Sequence, residues 1–336
     1  MISLVSILIP CYNAEKWIAE TIESALAQTW QNKEIIIVDD GSKDNSLSIA
    51  KRYESSQVKV IAQENSGASS ARNRALKEAQ GDFIQYLDAD DLLAPNKIEV
   101  QIQLLLKEQN CGYIASGEWG RFYKNPSETL FISEPVWADL SPVDWLICSW
   151  NGGGMMHPAA WLVPRHIADK AGYWDERLSL NDDGEYFCRV VLASEGVKFC
   201  QGAKSYYRSG IENSLSGSQS QKARESEILS WELNTNKLLN RENNSKLKKV
   251  CANVFQRFIY DVYPDAPDLR KKAQERVQEL GGSDLKLRGS PSFNLLCLIV
   301  GWKIAKRIQV FFYRYGYKNV AIGGKLLLLR QKIRTV

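Results

Sequence analysis

The sequence lacks the short motifs that several common protein classes require. Its seven cysteines include no CxxC pair, which argues against a zinc knuckle or a disulfide framework and favours a reducing, cytosolic setting. Neither GxGxxG nor GxxxxGK[ST] is present, so the glycine-rich phosphate cradles of dinucleotide-binding and P-loop proteins are missing. GxSxG is also absent and the only histidines are His157 and His166, which argues against a hydrolase triad.

Acidic residues are missing from the last part of the chain. Residues 285–336 hold eleven Lys and Arg, which leaves 32 of the 43 basic residues and all 39 acidic ones to residues 1–284. The net charge of +4 therefore originates in the tail. Because the surplus of basic residues is confined there and no recognition motif accompanies it, we expect no nucleic-acid partner.

Long apolar runs are scarce as well. The longest, FNLLCLIVGW, has about half the length of a bilayer-spanning helix. The apolar start MISLVSILIPCYN has no charged leader and no small-residue cleavage site, which favours a strand over a signal peptide. We therefore expect a cytoplasmic protein with a sizeable core and an appendage.

Apolar runs of strand length alternate with segments of helical periodicity. The strand candidates are Leu4–Pro10, EIIIVDD, VKVIAQ and DFIQYLD, and the helix candidates between them include Glu15–Gln28 and SSARNRALKEAQ. This alternation predicts an α/β fold with a mostly parallel, Rossmann-like sheet covered by helices on both faces. Such sheets bind ligands outside the carboxyl ends of their strands. Four of these ends carry polar side chains: Tyr12, Asp39 with Asp40, Asn65, and the aspartates of DADD.

The stretch YLDADD places three carboxylates, Asp88, Asp90 and Asp91, directly after a buried strand. Like charges this close repel one another, and each pKa unit of lost preference costs about 1.4 kcal/mol. A divalent cation bound by Asp88 and Asp90 would relieve the repulsion. Hard oxygen ligands of this kind suit Mg²⁺ or Mn²⁺, with diphosphate oxygens completing the coordination.

Four ordered segments together resemble a known family. ILIPCYNAEKWIAETIESALAQT, EIIIVDDGSKDNS, ENSGASSARNRAL and GDFIQYLDADDLL are similar to the motifs of glycosyltransferase family 2, inverting enzymes of the GT-A fold. The resemblance covers residues 3–95 and extends with less force to about residue 217. It implies transfer of a sugar from a nucleoside diphosphate donor, with UDP favoured, to a hydroxyl of a glycan or lipid-linked acceptor. The processive QxxRW signature and the GGxGTR loop of nucleotidyltransferases are absent, which favours transfer of one sugar per encounter.

The resemblance also assigns the donor side of the site. It places Tyr12 against the base, Asp40 on the base or ribose, Asp88 on ribose or metal-bound water, and Asp90 on the metal. The full set of donor candidates is Pro10, Tyr12, Asp40, Asn65, Gly67, Arg72, Asp88, Ala89, Asp90 and Arg208. The alternatives are that Tyr12 is a packing residue, that Asp40 only forms a turn, and that Arg72 is a solvated helix residue.

The resemblance further assigns the reacting side. ERLSLNDDGEYFCRV is similar to the acidic motif of the family, which makes Asp183 the candidate general base and Asp182 its neighbour. The acceptor-side candidates are Gly153, Gly154, His157 and Asp182, and in SYYRSGIENSLS the resemblance implies that Arg208 meets the diphosphate. The alternatives are an exposed acidic helix start, a plain glycine loop and a structural histidine.

We expect two domains. Residues 1–220 would form the catalytic domain, with a nucleotide-binding half at 1–110 and an acceptor half at 111–220, and residues 221–336 a helical, basic extension. In the extension, the spacing predicts a helix with a basic face and an apolar face on opposite sides. The basic face consists of Lys303, Lys306, Arg307, Arg314 and Lys318, and the apolar face of Ile304, Ile308, Phe311, Phe312 and Tyr315. This pattern is typical of a helix lying on an anionic membrane, here through 293–336 at the inner face of the cytoplasmic membrane. The alternative is a helix packed on its own domain or on a second subunit. For the whole chain, the rival to an enzyme is a catalytically silent, membrane-associated binding protein.

Overall fold

The computed structural model of the chain describes residues 2–107, 112–211 and 217–314. Contacts divide these residues into two compact units: an α/β unit within 1–146 and 155–218, and a helical unit made of 147–154 and 219 onward. Residues 147–154, which the sequence analysis placed in the acceptor half, group with the helical unit instead. The predicted mostly parallel sheet is confirmed.

Among its described residues, the α/β unit contains two sheets and seven α-helices. One of these helices, which runs from Pro142 to Trp150, has its residues 147–150 in the helical unit. Its strands are β1 (Val5–Cys11), β2 (Lys33–Asp39), β3 (Val58–Ala62), β4 (Phe83–Tyr86), β5 (Leu92–Leu93), β6 (Tyr113–Phe122), β7 (Val163–Pro164) and β8 (Gly196–Arg208). Its helices are α1 (Ile18–Leu26), α2 (Ser46–Lys51), α3 (Ala68–Glu78), α4 (Lys97–Lys107), α5 (Pro142–Trp150), α6 (Arg165–Ala171) and α7 (Asp182–Ala193).

The main sheet has the strand order β3-β2-β1-β4-β7, in which only β7 is antiparallel to its neighbour. All seven residues of the central strand β1 are buried, which explains why its sequence VSILIPC is apolar apart from Ser6, since a central strand covered on both faces has no solvent side. Helix α1 buries Ile18, Thr21, Ile22 and Ala25, one stripe at helical spacing. The smaller sheet, β5-β8-β6, includes the segment that follows β4, because β5 pairs with β8.

The helical unit contains α8 (Gln221–Arg241), α9 (Ser245–Val262), α10 (Pro267–Glu279) and α11 (Pro291–Arg314). Gly301 (φ 77°) interrupts α11, so this element consists of two helical stretches joined at a glycine. Within residues 2–107, 112–211 and 217–314, no helix combines the length and the apolar character that crossing a membrane requires. The predicted tail residues Tyr315 and Lys318, and the side chain of Arg314, lie outside the described part of the chain.

Candidate active site

The candidate residues meet where neighbouring strands end at the carboxyl edge of the main sheet. The order β3-β2-β1-β4 places the segments after these strands side by side, and these segments carry Asn65, Asp40, Tyr12 and Asp88. The strand order reverses between β1 and β4, and open α/β sheets bind ligands at such a reversal. Tyr12 and the turn Asp88–Asp91 therefore flank the expected crevice.

Tyr12 presents the free aromatic surface at this edge. Its side chain is 50% exposed directly after β1, which suits stacking against a base. Pro10, two residues earlier, is buried within β1 and opposite Val38 of β2. The predicted contact of Pro10 with the donor stays a prediction.

Asp40 organises the loop that follows β3. Its Oδ1 accepts hydrogen bonds from Gln63 Nε2 at 2.8 Å and the Ser66 amide at 2.9 Å, and its Oδ2 accepts one from the Gly67 amide at 2.8 Å. Asn65 Nδ2 donates to the Asp40 carbonyl at 2.9 Å. Gly67 adopts a φ of +95° at the start of α3, which a side chain would strain. The contact between Asp40 and a nucleotide stays a prediction, and the structure adds that this carboxylate shapes the loop.

Arg72 joins two parts of the site that are distant in sequence. Its Nη2 lies 2.7 Å from Asp88 Oδ1 and its Nη1 lies 2.7 Å from Asp182 Oδ2, while its guanidinium covers the Trp174 ring at 4.4 Å. Burial lowers the pKa of this guanidinium, but the charges of Asp88 and Asp182 outweigh burial and raise it. Arg72 is thus a buried bridge rather than a solvated residue, and Asp182, predicted on the acceptor side, is engaged with the donor-side carboxylate Asp88.

Asp90 is the carboxylate of the turn Asp88–Asp91 that lacks an ion-pair partner within the described part of the chain. Burial, with the charges of Asp91 and Asp88, raises the pKa of Asp90 to about 8. Within the described residues, the Asp90 carboxylate accepts a hydrogen bond from its own backbone and none from another side chain. The carbonyl of Ala89, another donor candidate, accepts from Thr21 Oγ1 at 3.0 Å.

This donor set fits a hard divalent cation that also binds diphosphate oxygens. Asp88 and Asp90 supply oxygen ligands, and a cation would remove the repulsion that raises the pKa of Asp90. No group of three or more His, Cys, Asp or Glu side chains that could hold a metal alone occurs in the described part of the chain. The fit therefore depends on oxygens that the ligand brings, and Mn²⁺ or Mg²⁺ at Asp90 and Asp88 remains a prediction.

His157, which the resemblance placed on the acceptor side, is fully buried, and its contact with an acceptor stays a prediction. Its Nδ1 lies 3.0 Å from Asp91 Oδ2 and its Nε2 lies 2.8 Å from Ser205 Oγ. Burial lowers the pKa of this imidazole to about 3, so the ring is neutral. Burial followed by the charge of Asp88 raises the pKa of Asp91 well above its ordinary value. No pattern in the sequence predicts that Asp91, His157 and Ser205 form this series of hydrogen bonds.

Arg208 is buried beside the turn Asp88–Asp91. Its guanidinium lies 4.3 Å from the ring of Trp17 and 4.4 Å from that of Phe122. Its Nη2 donates to Glu20 Oε2 at 2.5 Å and its Nε to the Asp90 carbonyl at 2.8 Å. With a side chain only 3% exposed, Arg208 holds the backbone of the turn, and its contact with the diphosphate stays a prediction.

Asp183 stands in the first turn of α7, directly after Asp182. The N-cap of this helix is Asn181, which adopts a left-handed φ of 59°. Burial and then the neighbouring charge of Asp182 raise the pKa of Asp183 to about 6, against the lowering effect of Arg72. A carboxylate with a pKa closer to neutral is a better proton acceptor than a solvated one. Glu185, which follows in the motif, is paired with Arg189 at 2.6 Å and packs within α7.

Gly153 and Gly154 belong to the helical unit. A Cβ on Gly153 would come within 2.5 Å of Cys148 Sγ and 2.7 Å of the Cys148 carbonyl, and Gly154 has a φ of +110°. Both glycines are therefore required by local packing or backbone geometry. Their contact with an acceptor stays a prediction.

The fold and the site define an open α/β protein with an acidic crevice at the reversal of its parallel sheet. Residues 6–157 match the family model described as glycosyl transferase family 2. An uncharacterized glycosyltransferase of Rickettsia typhi is 36% identical over 199 residues, 57% of this chain and 59% of that protein. The UDP-Glc:alpha-D-GlcNAc-diphosphoundecaprenol beta-1,3-glucosyltransferase WfgD of Escherichia coli is 46% identical over 105 residues, 31% of this chain and 42% of that protein. Residues 6–157 therefore match glycosyltransferase family 2, the family that the motifs of the sequence resemble.

Solved structures show the same fold. The crystal structure of S. aureus TarS 1–349 in complex with UDP matches with a TM-score of 0.66 at 18% identity, over 95% of this chain and 94% of that one. The complex of TarS 1–349 with UDP-GlcNAc gives a TM-score of 0.65 at 17% identity, over 93% and 92%. The predicted GT-A type fold with a helical C-terminal part is confirmed. The chain spans 59% of the length of the rickettsial relative, and its own activity and substrates are taken up below as a proposal.

Proposed function

We propose that this chain is an inverting, metal-dependent glycosyltransferase that moves a single sugar from a UDP-sugar to a hydroxyl of a glycan or lipid-linked acceptor. The observation that carries the proposal is the Arg72 bridge, because it holds Asp88 of the donor side against Asp182, the neighbour of the candidate base Asp183. The name of WfgD, which gives a UDP-glucose donor and a diphosphoundecaprenol-linked acceptor, supports the substrate classes. The UDP and UDP-GlcNAc complexes of TarS support the nucleotide.

The residues divide the chemistry as follows. Tyr12 stacks on the uracil, and Asp88 and Asp90 would hold the cation, which as a Lewis acid stabilises the departing diphosphate when bound. Asp183 accepts the proton of the attacking hydroxyl. The hydroxyl oxygen forms a bond to the anomeric carbon as the bond from that carbon to the UDP oxygen breaks. Attack from the face opposite UDP inverts the configuration.

Replacing Asp90 by Asn is expected to abolish metal-dependent UDP binding. The substitution removes a charged ligand while keeping the shape of the side chain, so the cation and the diphosphate lose their shared anchor. Calorimetric titration of UDP with and without Mn²⁺ measures this. Asp169→Asn serves as the matched control, because Asp169 is 58% exposed in a surface pair with Arg165 of the same unit. Binding of UDP that ignores both Mn²⁺ and Asp90 would contradict the metal site.

The rival function is a silent binding protein that keeps the nucleotide crevice. It predicts UDP binding by the wild type with no detectable UDP release from UDP-glucose or UDP-GlcNAc. The raised pKa of Asp183 favours the enzyme, because a binding module has no need of a proton acceptor at this position.

We further propose that α11 docks the protein on an anionic membrane. One side of α11 packs on its own helical unit, where Trp302 meets the rings of Tyr260 at 4.9 Å and Tyr263 at 5.0 Å and Ala305 is fully buried. The packing alternative from the sequence thus describes part of α11. Other apolar side chains of α11 lie in solvent: Leu295, Leu298, Ile299 and Ile304, exposed by 58%, 84%, 72% and 52%. Lys303 and Arg307 are also exposed, with the Arg307 guanidinium 5.8 Å from the Tyr263 ring, and their charge favours a negatively charged lipid surface as the occupant.

The docking surface is tested by sedimentation with vesicles containing phosphatidylglycerol. Lys303→Glu with Arg307→Glu should weaken binding by tenfold or more, since each basic residue near such a surface contributes about 1 kcal/mol. Leu298→Ser with Ile299→Ser should do the same. The control is Lys237→Glu with Lys246→Glu, two exposed lysines of α8 and α9. Unchanged sedimentation of both test variants contradicts the proposal, and loss of a dimer in them points to a second copy as the occupant.

A further inference from the structure

We infer that His157 is a positioning residue that fixes the carboxylate turn Asp88–Asp91 for cation binding, by donating a hydrogen bond from Nδ1 to Asp91. This inference rests on the proposed cation and diphosphate site. It assigns a role to a histidine that is fully buried.

Asp91 is held from two sides. Its Oδ2 lies 3.0 Å from His157 Nδ1, and its Oδ1 accepts a hydrogen bond from the Arg208 amide at 2.9 Å. The Asp91 side chain is 1% exposed and that of His157 is 0% exposed, so water cannot replace either donor. Because Asp91 adjoins Asp90 in the chain, fixing its carboxylate also restricts the backbone that orients the cation ligand.

The neighbours of His157 are compatible with a proton on Nδ1. An ionised Asp91 can only accept, so Nδ1, at 3.0 Å from Asp91 Oδ2, donates to it. Ser205 Oγ, at 2.8 Å from Nε2, is a hydroxyl that can donate as well as accept. In the tautomer that the positioning role requires, Nδ1 therefore donates to Asp91 and Nε2 accepts from Ser205.

His157 also ties the turn to the smaller sheet. Ser205 belongs to β8 and pairs in register with Leu93 of β5, two residues after Asp91. Arg208, three residues further along β8, donates to the Asp90 carbonyl at 2.8 Å. The turn is thus clamped by two groups that depend on β8, and losing one of them leaves a buried carboxylate oxygen without a donor.

The Asp91, His157 and Ser205 side chains have the connectivity of a hydrolase triad, but burial excludes that use. Ser205 is 0% exposed, so its hydroxyl cannot reach a substrate. A positioning role is consistent with both the connectivity and the burial.

Two matched substitutions test the inference. When each amide is superposed on the imidazole ring, the Nδ2 of Asn in His157→Asn takes the place of Nδ1 and can still donate to Asp91, whereas the amide of Gln in His157→Gln takes the place of Nε2 and reaches Ser205. Both variants should lower the melting temperature. Calorimetric titration of Mn²⁺ in the presence of UDP should show affinity within about threefold of wild type for His157→Asn, and weakened tenfold or more for His157→Gln. Equal effects on Mn²⁺ affinity in the two variants overturn the inference.

A spectroscopic reading keeps the test independent of these variants. The chain has only two histidines, so the ring nitrogens of His157 can be assigned by ¹⁵N NMR of the wild type and of His166→Gln. The expected result is a proton on Nδ1, and a proton on Nε2 overturns the inference. A wild type that does not bind UDP with Mn²⁺ contradicts the proposed function itself, and the tautomer can still be read in that case.

Discussion

Replacing Asp183 by Asn is expected to lower the rate of sugar transfer by about a hundredfold to ten-thousandfold, the contribution typical of a positioned general base. The amide has the shape of the carboxylate but cannot accept the proton of the attacking hydroxyl. Binding of UDP with Mn²⁺ should change little, because donor binding is assigned to the strand ends. UDP release from UDP-glucose or UDP-GlcNAc, with water as the acceptor, measures the rate without knowledge of the natural acceptor.

The pH dependence of the wild type gives a second measurement. Burial and the charge of Asp182 raise the pKa of Asp183 to about 6, so the carboxyl is protonated below that pH and cannot act as a base. We therefore expect kcat/KM to fall as the pH drops through about 6 and to be fully developed above it. Because Asp182 and Asp183 interact, the midpoint belongs to the pair rather than to one residue.

Two outcomes would contradict the assignment of Asp183. The first is a full rate for Asp183→Asn, and the second is a rate equally reduced in the Asp169→Asn control, whose side chain lies in a surface pair. A wild type that binds UDP but releases none from either UDP-sugar would favour the silent binding protein.

Replacing Arg72 by Met is expected to lower the free energy of unfolding by about 3 to 5 kcal/mol, the cost of leaving buried ion-pair partners without their counter-charge. Arg72 bridges Asp88 and Asp182 at 2.7 Å each, and its side chain is 7% exposed. Arg72→Lys should recover little of the loss, because one ammonium group does not reproduce a planar fork that contacts two carboxylates. Urea unfolding followed by circular dichroism measures the change.

The control for Arg72 lies on the same helix. Arg74 pairs with Glu78 at 3.0 Å but is 51% exposed, so Arg74→Met should change the free energy of unfolding by less than about 1 kcal/mol. A second consequence is specific to Arg72: its charge lowers the pKa of Asp183, so the acid limb of activity in Arg72→Met should move above pH 6. Equal destabilisation by the two substitutions would contradict the buried bridge.

The local parts of the fold could be read from the sequence because they depend on short-range patterns. The apolar runs of β1 and β2 and the helical spacing in α1 follow from burial on two faces or on one stripe. The place of the candidate site could be predicted for the same reason, since the carboxyl ends of neighbouring parallel strands bring Tyr12, Asp40 and Asp88 to one edge.

The sequence by itself determined the alternation of strands and helices, the edge of the sheet at which polar side chains collect, and the family motifs. Tertiary structure alone decided which of those side chains remain available. Arg72 meets Asp182 across 110 residues, His157 meets Asp91 across 66, and Arg208 meets Glu20 across 188. No local period encodes such pairs, because they arise only when distant segments pack together and a buried charge must find a partner. For this reason Arg208 and His157 hold the turn from inside, and Asp183 acquires its raised pKa from burial that the sequence does not show.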